Sequence, residues 1–421
     1  MRFADLATGP DPQLPLEAFE ARRGRLAARL GDDDLLVVAT HPETTYSHDV
    51  ENRFRPHNDF WYLTGFDEPG AVLLVDGSGG SELFLRDRDP QAEIWHGRRL
   101  GVDRVPEALG VDHARSLDDL GRVLRDRLPT VAGEVHAVTG HHPWVHRRLR
   151  RALGKAPEDG AGLVADLRVR KDADELRLLQ QAADVGAAGH RALVEALPDA
   201  THEFQLEAAF TAAIRAAGST GPGYAPIVGA GANAAVLHYT ANRDAIRRGD
   251  LVLVDAGAEW GYYNSDITRT FPTAGWSDLQ AALYDLVDRA RAAAIDAVRP
   301  GARLAEVHAT AADVLEEGLV EQGLLEEGGD VRRFFMHGTS HFLGLDVHDV
   351  GSYRDADGKS RRLEEGMVIT VEPGLYFNPD FTECPPATSG LGIRLEDDVA
   401  VTADGARVLT AGLPTARDAW T

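Results

Sequence analysis

The chain has 421 residues, of which 43% are hydrophobic and 26% are charged, and its formal net charge is −23 with a pI near 5.1. This length exceeds one ordinary domain and predicts two. So acidic a protein is a poor partner for nucleic acid or for an anionic membrane.

The N-terminal sequence and the number of cysteines indicate the cellular compartment of the protein. The first 23 residues contain no apolar signal core, and no apolar run is long enough to span a bilayer. Cys384 is the only cysteine, so no intrachain disulfide can form, which suits a reducing environment. We therefore predict a cytoplasmic protein without a membrane partner.

The first part of the chain alternates between helical and strand patterns, which predicts a mixed α/β domain over residues 1–170. The predicted helices cover 16–31, 115–128 and 142–153, and the predicted strands cover 35–39, 71–75 and 82–86. The motif DGSGG forms the turn between the last two strands, and Pro143 opens the last helix.

A second domain is predicted over residues 171–421. It begins with a long alanine-rich helix from about Asp172 to the break at Pro198. A helix–proline–helix pattern then occurs twice, at 195–218 and at 296–318, and each copy is followed by an apolar strand that ends in acid-x-Gly. This repetition predicts two related α/β halves with a site between them, although glycine-rich strand ends can also resemble each other by chance.

Four acids lie in apolar, strand-like surroundings, where an unpaired carboxylate is costly to bury. They are Asp255, Asp266, Glu372 and Glu396. One interpretation pairs each acid with an arginine, for which Arg269 and Arg394 are available. The other balances the four negative charges with two divalent cations. Bridging carboxylates can hold such ions ~3.5–4 Å apart, as in two-metal hydrolases.

Histidines are concentrated in HGTSHFLGLDVHD, residues 337–349. His337 and His341 are four residues apart, a spacing that would place both on one face of a helix, but the glycines and serine nearby disfavour a helix. A histidine added to four carboxylates makes an oxygen-rich ligand set, which favours Mn²⁺ over a thiolate-type zinc site.

The series Asp255, Asp266, His341, Glu372 and Glu396 resembles, in order and local context, the ligand set of the pita-bread metallopeptidases. Within that family HGTSHFLGLDVHD, TVEPGLYF and GIRLEDD are similar to the motifs of Xaa-Pro aminopeptidase (aminopeptidase P) and of Xaa-Pro dipeptidase (prolidase). NDFWYLTGFDEPGAVLLV and AEIWHGRRLG resemble the N-terminal domain of aminopeptidase P more closely. The resemblance covers both domains.

The resemblance implies an N-terminal mixed α/β domain followed by a pseudo-symmetric, duplicated pita-bread catalytic domain. It implies two divalent metal ions, Mn²⁺ by preference, and release of the N-terminal amino acid from peptides with proline in second position. His341 is then the metal-binding histidine, and Glu372 is both a ligand and the group that transfers a proton to the proline nitrogen. The α-amine of the substrate lies against Asp255.

The remaining site residues are also implied by the resemblance. His238 and His348 polarise the scissile carbonyl, and His337 lines the pocket for the proline ring. Arg394 holds the glutamate two residues later. Tyr376, and with it Tyr224, supplies hydrogen bonds behind the ligands; the alternative for both is a packed tyrosine with a satisfied hydroxyl.

Trp95, in EIWHGRRLG, bears on assembly. In aminopeptidase P relatives this segment comes from a neighbouring subunit, so the resemblance implies a homodimer or homotetramer with Trp95 at the substrate entrance. The alternative is that Trp95 packs inside its own domain.

Three other functions are compatible with this family. Prolidase performs the same chemistry on dipeptides, creatinase-type relatives share the fold without metals, and some pita-bread domains are non-catalytic binding modules. The complete ligand set argues against the last two.

Overall fold

The structure, a computed structural model, describes residues 14–380 and 383–420 and divides after Arg168 into two compact units. The absence of an apolar signal core was predicted from residues 1–23, of which residues 1–13 lie outside this range. Within it, no helix combines the length and the apolar character needed to cross a membrane.

The N-terminal unit is built on a mixed sheet with the strand order β6-β5-β4-β1-β7-β8. Strands β1, β4 and β5 are antiparallel, whereas β6, β7 and β8 each join the sheet in parallel. The strands are β1 (Leu35–Ala39), β2 (Thr45–Ser47), β3 (Val50–Glu51), β4 (Val72–Asp76), β5 (Ser81–Leu85), β6 (His113–Ser116), β7 (Val135–Val138) and β8 (Glu158–Asp159). The helices are α1 (Leu16–Ala27), α2 (Asn58–Thr64), α3 (Pro90–His96), α4 (Val105–Leu109), α5 (Leu120–Arg127), α6 (Pro143–Leu153) and α7 (Ala161–Arg168).

Most predicted elements of this unit are confirmed within a few residues. β1 has the predicted bounds, and α6 begins at Pro143 as expected. The helix predicted from residue 115 is wrong in its first turn, because His113–Ser116 pairs with β5 as an edge strand. The hairpin of β2 and β3 was not predicted, since its short strands are exposed on both faces and have no apolar alternation.

The C-terminal unit has two similar halves, which confirms the predicted duplicated α/β plan. In each half two helices pack against each other, α8 on α9 and α10 on α11, beside a three-stranded sheet, β10-β11-β14 or β15-β18-β19. The helices are α8 (Ala173–Ala196), α9 (Glu203–Ala216), α10 (Asp278–Ala297) and α11 (Leu304–Glu321). The strands are β9 (Gly221–Pro222), β10 (Ile227–Ala230), β11 (Leu251–Asp255), β12 (Ala258–Trp260), β13 (Tyr263–Asn264), β14 (Thr268–Pro272), β15 (Val368–Val371), β16 (Gly374–Tyr376), β17 (Gly392–Arg394), β18 (Asp397–Val401) and β19 (Ala406–Val408).

The long helix α8 begins and ends where predicted. Asp172 caps its N-terminus by accepting the Glu175 N–H at 2.9 Å, and the Glu175 carboxylate accepts the Asp172 N–H at 3.1 Å. This reciprocal pair satisfies two backbone donors that the helix leaves free. The helix ends at Ala196, and Pro198 lies in the single 3-10 turn that follows.

The repeated acid-x-Gly motif has a steric cause. A Cβ atom on Gly257 would lie 1.7 Å from the carbonyl oxygen of Ser265, and one on Gly374 would lie 2.4 Å from the hydroxyl oxygen of Tyr376. At both positions, two residues after the acid, the missing side chain therefore leaves room for a neighbouring oxygen atom.

We predict that Gly257→Ala destabilises the C-terminal unit by at least about 1–3 kcal/mol, because its Cβ would overlap backbone that cannot move freely. Gly405→Ala is the matched control, since a Cβ at that position meets no atom within 4 Å. Urea unfolding of the two variants checks this. Equal midpoints would show that the close approach at Gly257 is not required.

Candidate metal centre

A cleft of about 580 Å³ in the C-terminal unit collects side chains that are far apart in the chain. Of the predicted site residues, those that line it are His238, Asp255, Asp266, His337, His341, His348, Glu372, Arg394 and Glu396, together with Tyr224. Tyr376 is fully buried and hydrogen-bonded to two of them. Trp95 lies in α3 of the N-terminal unit and is 82% exposed, so the alternative that it packs inside its own domain is wrong.

The acids are placed by strand ends. Asp255 is the last residue of β11 and pairs with Thr268, the first residue of β14. Glu372 directly follows β15, and Glu396 lies between β17 and β18. The Glu396 N–H donates to the Thr268 carbonyl at 3.1 Å, a contact that joins the two halves. Acids at corresponding strand ends of the two halves therefore face one cleft.

Tyr224 binds both acids of the first half. Its hydroxyl lies 2.5 Å from Oδ1 of Asp255 and 2.5 Å from Oδ1 of Asp266. One hydroxyl proton can serve only one carboxylate at a time. Burial, opposed by Arg394 and reinforced by the charge of Asp266, raises the pKa of Asp255 to about 6. Tyr224 therefore adds no positive charge to this pair of acids, whose cationic contacts are Arg394 at Asp255 and His341 at Asp266.

Arg394 contacts three different groups through its three guanidinium nitrogens. Nη2 donates to Asp255 at 2.6 Å, Nη1 to the Tyr376 hydroxyl at 2.9 Å and Nε to the Thr268 hydroxyl at 3.0 Å. Thr268 in turn donates to Glu396 at 2.6 Å. Arg394 thus acts on the glutamate through a threonine, a link that the sequence did not predict.

The interpretation in which every acid has its own arginine is wrong. Arg394 pairs with Asp255, but Arg269 pairs with Asp397 at 2.8 Å and donates to the backbone oxygen of Glu396 rather than to its carboxylate. Asp397 also pairs with Arg291 at 2.6 Å. Arg269 and Arg291 therefore pair with Asp397, and the cleft carboxylate that pairs with an arginine is Asp255.

His341 faces the acids with one ring nitrogen. Its Nδ1 lies 3.0 Å from the Phe342 carbonyl, and its Nε2 lies 3.4 Å from Asp266 and 3.6 Å from Glu372. A proton on Nδ1 leaves Nε2 free as a ligand atom. Although burial lowers the pKa of His341, the two carboxylates outweigh it and raise the pKa to about 9.

The donor set fits a divalent cation. Asp266, His341 and Glu396 each offer a ligand atom, and these atoms lie within 4.8 Å of one another. Burial, with the neighbouring carboxylates, raises the pKa of Glu372 to about 7 and that of Glu396 well above its usual range. Carboxylates that resist ionisation because they are buried, and because other carboxylates lie nearby, are the groups that a bound cation would stabilise.

The remaining histidines differ in their surroundings. His337 is held at both ring nitrogens, by the Gly338 carbonyl and the Tyr376 hydroxyl at 2.8 Å each. Burial, with the nearby Arg394, lowers its pKa to about 3, so this ring is neutral. The His348 ring packs edge-on against that of His341 with centroids 4.4 Å apart. His238 is exposed along the wall of the cleft.

Two supporting acids were missed by sequence reasoning. The Asp398 carboxylate accepts the backbone N–H of Asp266, with both oxygens 3.2 Å away. Asp349, next to His348, forms an ion pair with Lys171 at 2.8 Å, and both side chains are 1% exposed. The sequence contained a signal for both acids. Asp398 is two residues after Glu396 in LEDD, and Asp349 directly follows His348 in DVHD.

Both parts of the chain are similar to known proteins. The model of metallopeptidase family M24 matches residues 177–403, and that of the aminopeptidase P N-terminal domain matches residues 19–136. Xaa-Pro aminopeptidase from Haemophilus influenzae is 39% identical over 417 residues, which are 96% of each chain. Zn-substituted E. coli aminopeptidase P in complex with product superposes with a TM-score of 0.90 at 37% identity, over 97% of this chain and 98% of that chain. E. coli aminopeptidase P with the inhibitor Pro-Leu gives a TM-score of 0.89 over the same shares.

We predict that His341→Ala lowers Mn²⁺ affinity by roughly 100-fold or more, since a ligand should matter at least as much as the groups that orient one. His348→Ala should leave that affinity nearly unchanged. Elemental analysis and calorimetric titration of both variants check this. The reverse pattern would exchange the roles of the two histidines.

Proposed function

Because the chain belongs to metallopeptidase family M24, we propose that its cleft is a two-metal peptidase site with the five ligands named above. The protein is a metallo-aminopeptidase that removes the N-terminal residue from peptides with proline in second position. The observation that carries the proposal is the convergence of four carboxylates and His341 on one cleft.

The metals are divalent, and we propose two Mn²⁺ ions held by Asp255, Asp266, His341, Glu372 and Glu396. Oxygen-rich ligand sets favour such hard ions. When bound, the ions polarise the scissile carbonyl and lower the pKa of the attacking water. The raised pKa values of Asp255 and Glu372 support this proposal, because added positive charge would restore their ionised forms.

Glu372 is proposed as the proton carrier. Proline nitrogen leaves as an amine and needs a proton, and it has no N–H of its own in the peptide. A carboxylate beside the attacking water can take its proton and release it to the leaving amine. Glu372 takes that proton and delivers it to the proline nitrogen as the bond breaks.

Three histidines and one acid orient the substrate. His348 and His238 donate hydrogen bonds to the scissile carbonyl oxygen. His337, neutral and fixed by the Tyr376 hydroxyl at 2.8 Å, packs against the proline ring. The α-amine of the substrate lies against Asp255, which restricts cleavage to the first peptide bond.

The remaining assignments concern organisation and place. We assign residues 1–170 to an N-terminal domain and residues 171–421 to the catalytic domain, close to the division after Arg168. The cytoplasm is the proposed compartment because the chain has a single cysteine, and the net charge of −23 makes nucleic acid an unsuitable partner.

Chelation should abolish hydrolysis of Xaa-Pro-Yaa tripeptides, and Mn²⁺ or Co²⁺ should restore it, because both ions accept carboxylate-rich sites. Release of the first amino acid from the chelated and the reloaded enzyme measures this. Full activity in protein shown to be metal-free would refute the two-metal site. Faster hydrolysis of Xaa-Pro dipeptides than of tripeptides would instead assign the activity of a prolidase.

Glu372→Gln should lower kcat by roughly 10²–10⁴-fold, because an amide cannot carry the proton. Glu365, which is exposed and precedes β15, supplies the control variant Glu365→Gln, which should retain kcat. The metal content of both proteins is measured alongside. A Glu372→Gln enzyme with normal metal content and normal kcat would remove Glu372 from the proton path.

We also propose a homodimer or homotetramer in which Trp95 of one subunit lies at the substrate entrance of another. The support is an apolar surface on the N-terminal unit: Trp95, Ile94 and Tyr46 are each more than 70% exposed, and Val50 is 55% exposed. The hairpin that carries Tyr46 is joined to α3 by His96 and Glu51, whose side chains approach to 3.6 Å. Exposed aromatic residues of this kind are common interface anchors.

Trp95→Ala should weaken assembly and lower kcat/KM for tripeptides, because it removes the exposed ring that is proposed to contact the other subunit. The control is Trp144→Ala, which removes a tryptophan of the same unit that packs on the Arg148 guanidinium at 3.6 Å. Light scattering of dilute enzyme and tripeptide kinetics measure both effects. A fully active monomer, or an unchanged kcat/KM in Trp95→Ala, would contradict the proposal.

A further inference from the structure

Glu203, the first residue of α9, is a fully buried carboxylate with four neutral hydrogen-bond donors. Oε1 accepts the Ala230 N–H at 2.8 Å and the Asn233 amide at 2.9 Å. Oε2 accepts the Tyr239 hydroxyl and the Asp244 N–H, both at 2.8 Å. All four donors belong to one segment, residues 230–244. A single side chain therefore holds this segment at four points.

The segment carries His238, which lies on the wall of the cleft immediately before Tyr239. After the 3-10 turn Gly231–Ala235, residues 236–243 form neither helix nor strand. No ladder of backbone hydrogen bonds fixes His238, so its position depends on how neighbouring side chains are anchored. Leu237 and Tyr239 are partly buried against a hydrophobic cluster, and Glu203 accepts the hydrogen bond of the Tyr239 hydroxyl.

We infer that Glu203 is a positioning residue for the reaction, acting through Tyr239 and the backbone of residues 230–244 to hold the His238 ring at the cleft. The inference rests on the proposed role of His238 as a donor to the scissile carbonyl. A donor must be aligned with the oxygen as charge develops on it, and a misplacement of ~1 Å can cost ~10²-fold in rate. Anchoring from behind leaves the front of His238 open to substrate.

The four donors require a carboxylate. Two oxygens provide about four acceptor sites, whereas glutamine provides one oxygen and a donating amide. In Glu203→Gln the side-chain NH₂ would face a backbone N–H in either orientation, that of Ala230 or that of Asp244, and a backbone N–H cannot accept a hydrogen bond. Tyr239→Phe is milder, because it removes only the hydroxyl beside His238 and keeps the packed ring.

A double-mutant cycle tests the inference. Mn²⁺-loaded enzyme is assayed on an Xaa-Pro-Yaa tripeptide as wild type and as the single variants Tyr239→Phe, Glu203→Gln and His238→Ala. The two double variants combine His238→Ala with Tyr239→Phe or with Glu203→Gln. We expect Tyr239→Phe and Glu203→Gln each to lower kcat by about 10-fold with little change in KM. In the His238→Ala background the same changes should alter kcat by less than about 2-fold, because their effect passes through the missing ring.

Tyr263→Phe is the matched control. It removes a Tyr–Glu hydrogen bond of the same length, 2.8 Å to Glu175, from a buried tyrosine that does not line the cleft. It should lower the melting temperature without the loss of kcat. If Glu203→Gln does not fold, Tyr239→Phe carries the test alone.

Three outcomes would overturn the inference. Equal losses of kcat with and without His238 would show that Glu203 and Tyr239 act only on stability or through another group. Unchanged kcat in Tyr239→Phe and Glu203→Gln, with a large loss in His238→Ala, would reject Glu203 and keep His238. A normal kcat in His238→Ala would reject the proposed role of His238 itself and, with it, this inference.

Discussion

Repulsion among four carboxylates in one buried cleft is the constraint on which the rest of the catalytic unit depends. Two like charges ~4 Å apart repel by ~4 kcal/mol at an effective dielectric constant of ~20. Arg394 and His341 are the cationic side chains that contact these acids in the described cleft, and they meet different ones. The pKa values of Asp255, Glu372 and Glu396 are accordingly raised, chiefly by burial. Divalent cations complete the charge balance that the protein leaves open.

The contacts that orient the acids also join the two halves of the unit. Arg394, from the second half, donates to Asp255 of the first at 2.6 Å, and Thr268, from the first, donates to Glu396 of the second at 2.6 Å. Asp266 is held through its backbone N–H by Asp398. The site is therefore a product of the interface between the halves, and neither half contains it alone.

Irregular segments carry His238 and His348, the histidines proposed to contact substrate, and buried charged side chains lie next to both segments. The ion pair of Lys171 and Asp349 lies next to His348, and the Glu203 carboxylate lies behind His238. A buried ion pair gives little net stability, because desolvation offsets the attraction. Its effect is to restrict the positions that a loop can adopt.

Sequence alone determined the features that depend on local pattern. The strand β1, the start of α6, both ends of α8 and the acid-x-Gly motifs followed from periodicity, proline positions and capping residues. The grouping of the four acids followed from their apolar surroundings, and the choice of His341 from resemblance to a family. Tertiary structure decided which arginine meets which acid, because Arg269 and Arg394 are equivalent candidates until distances are known. It also decided that His113–Ser116 is a strand and that Trp95 is exposed. Each of these depends on the neighbours that folding brings from elsewhere in the chain, and residue type and spacing do not specify them.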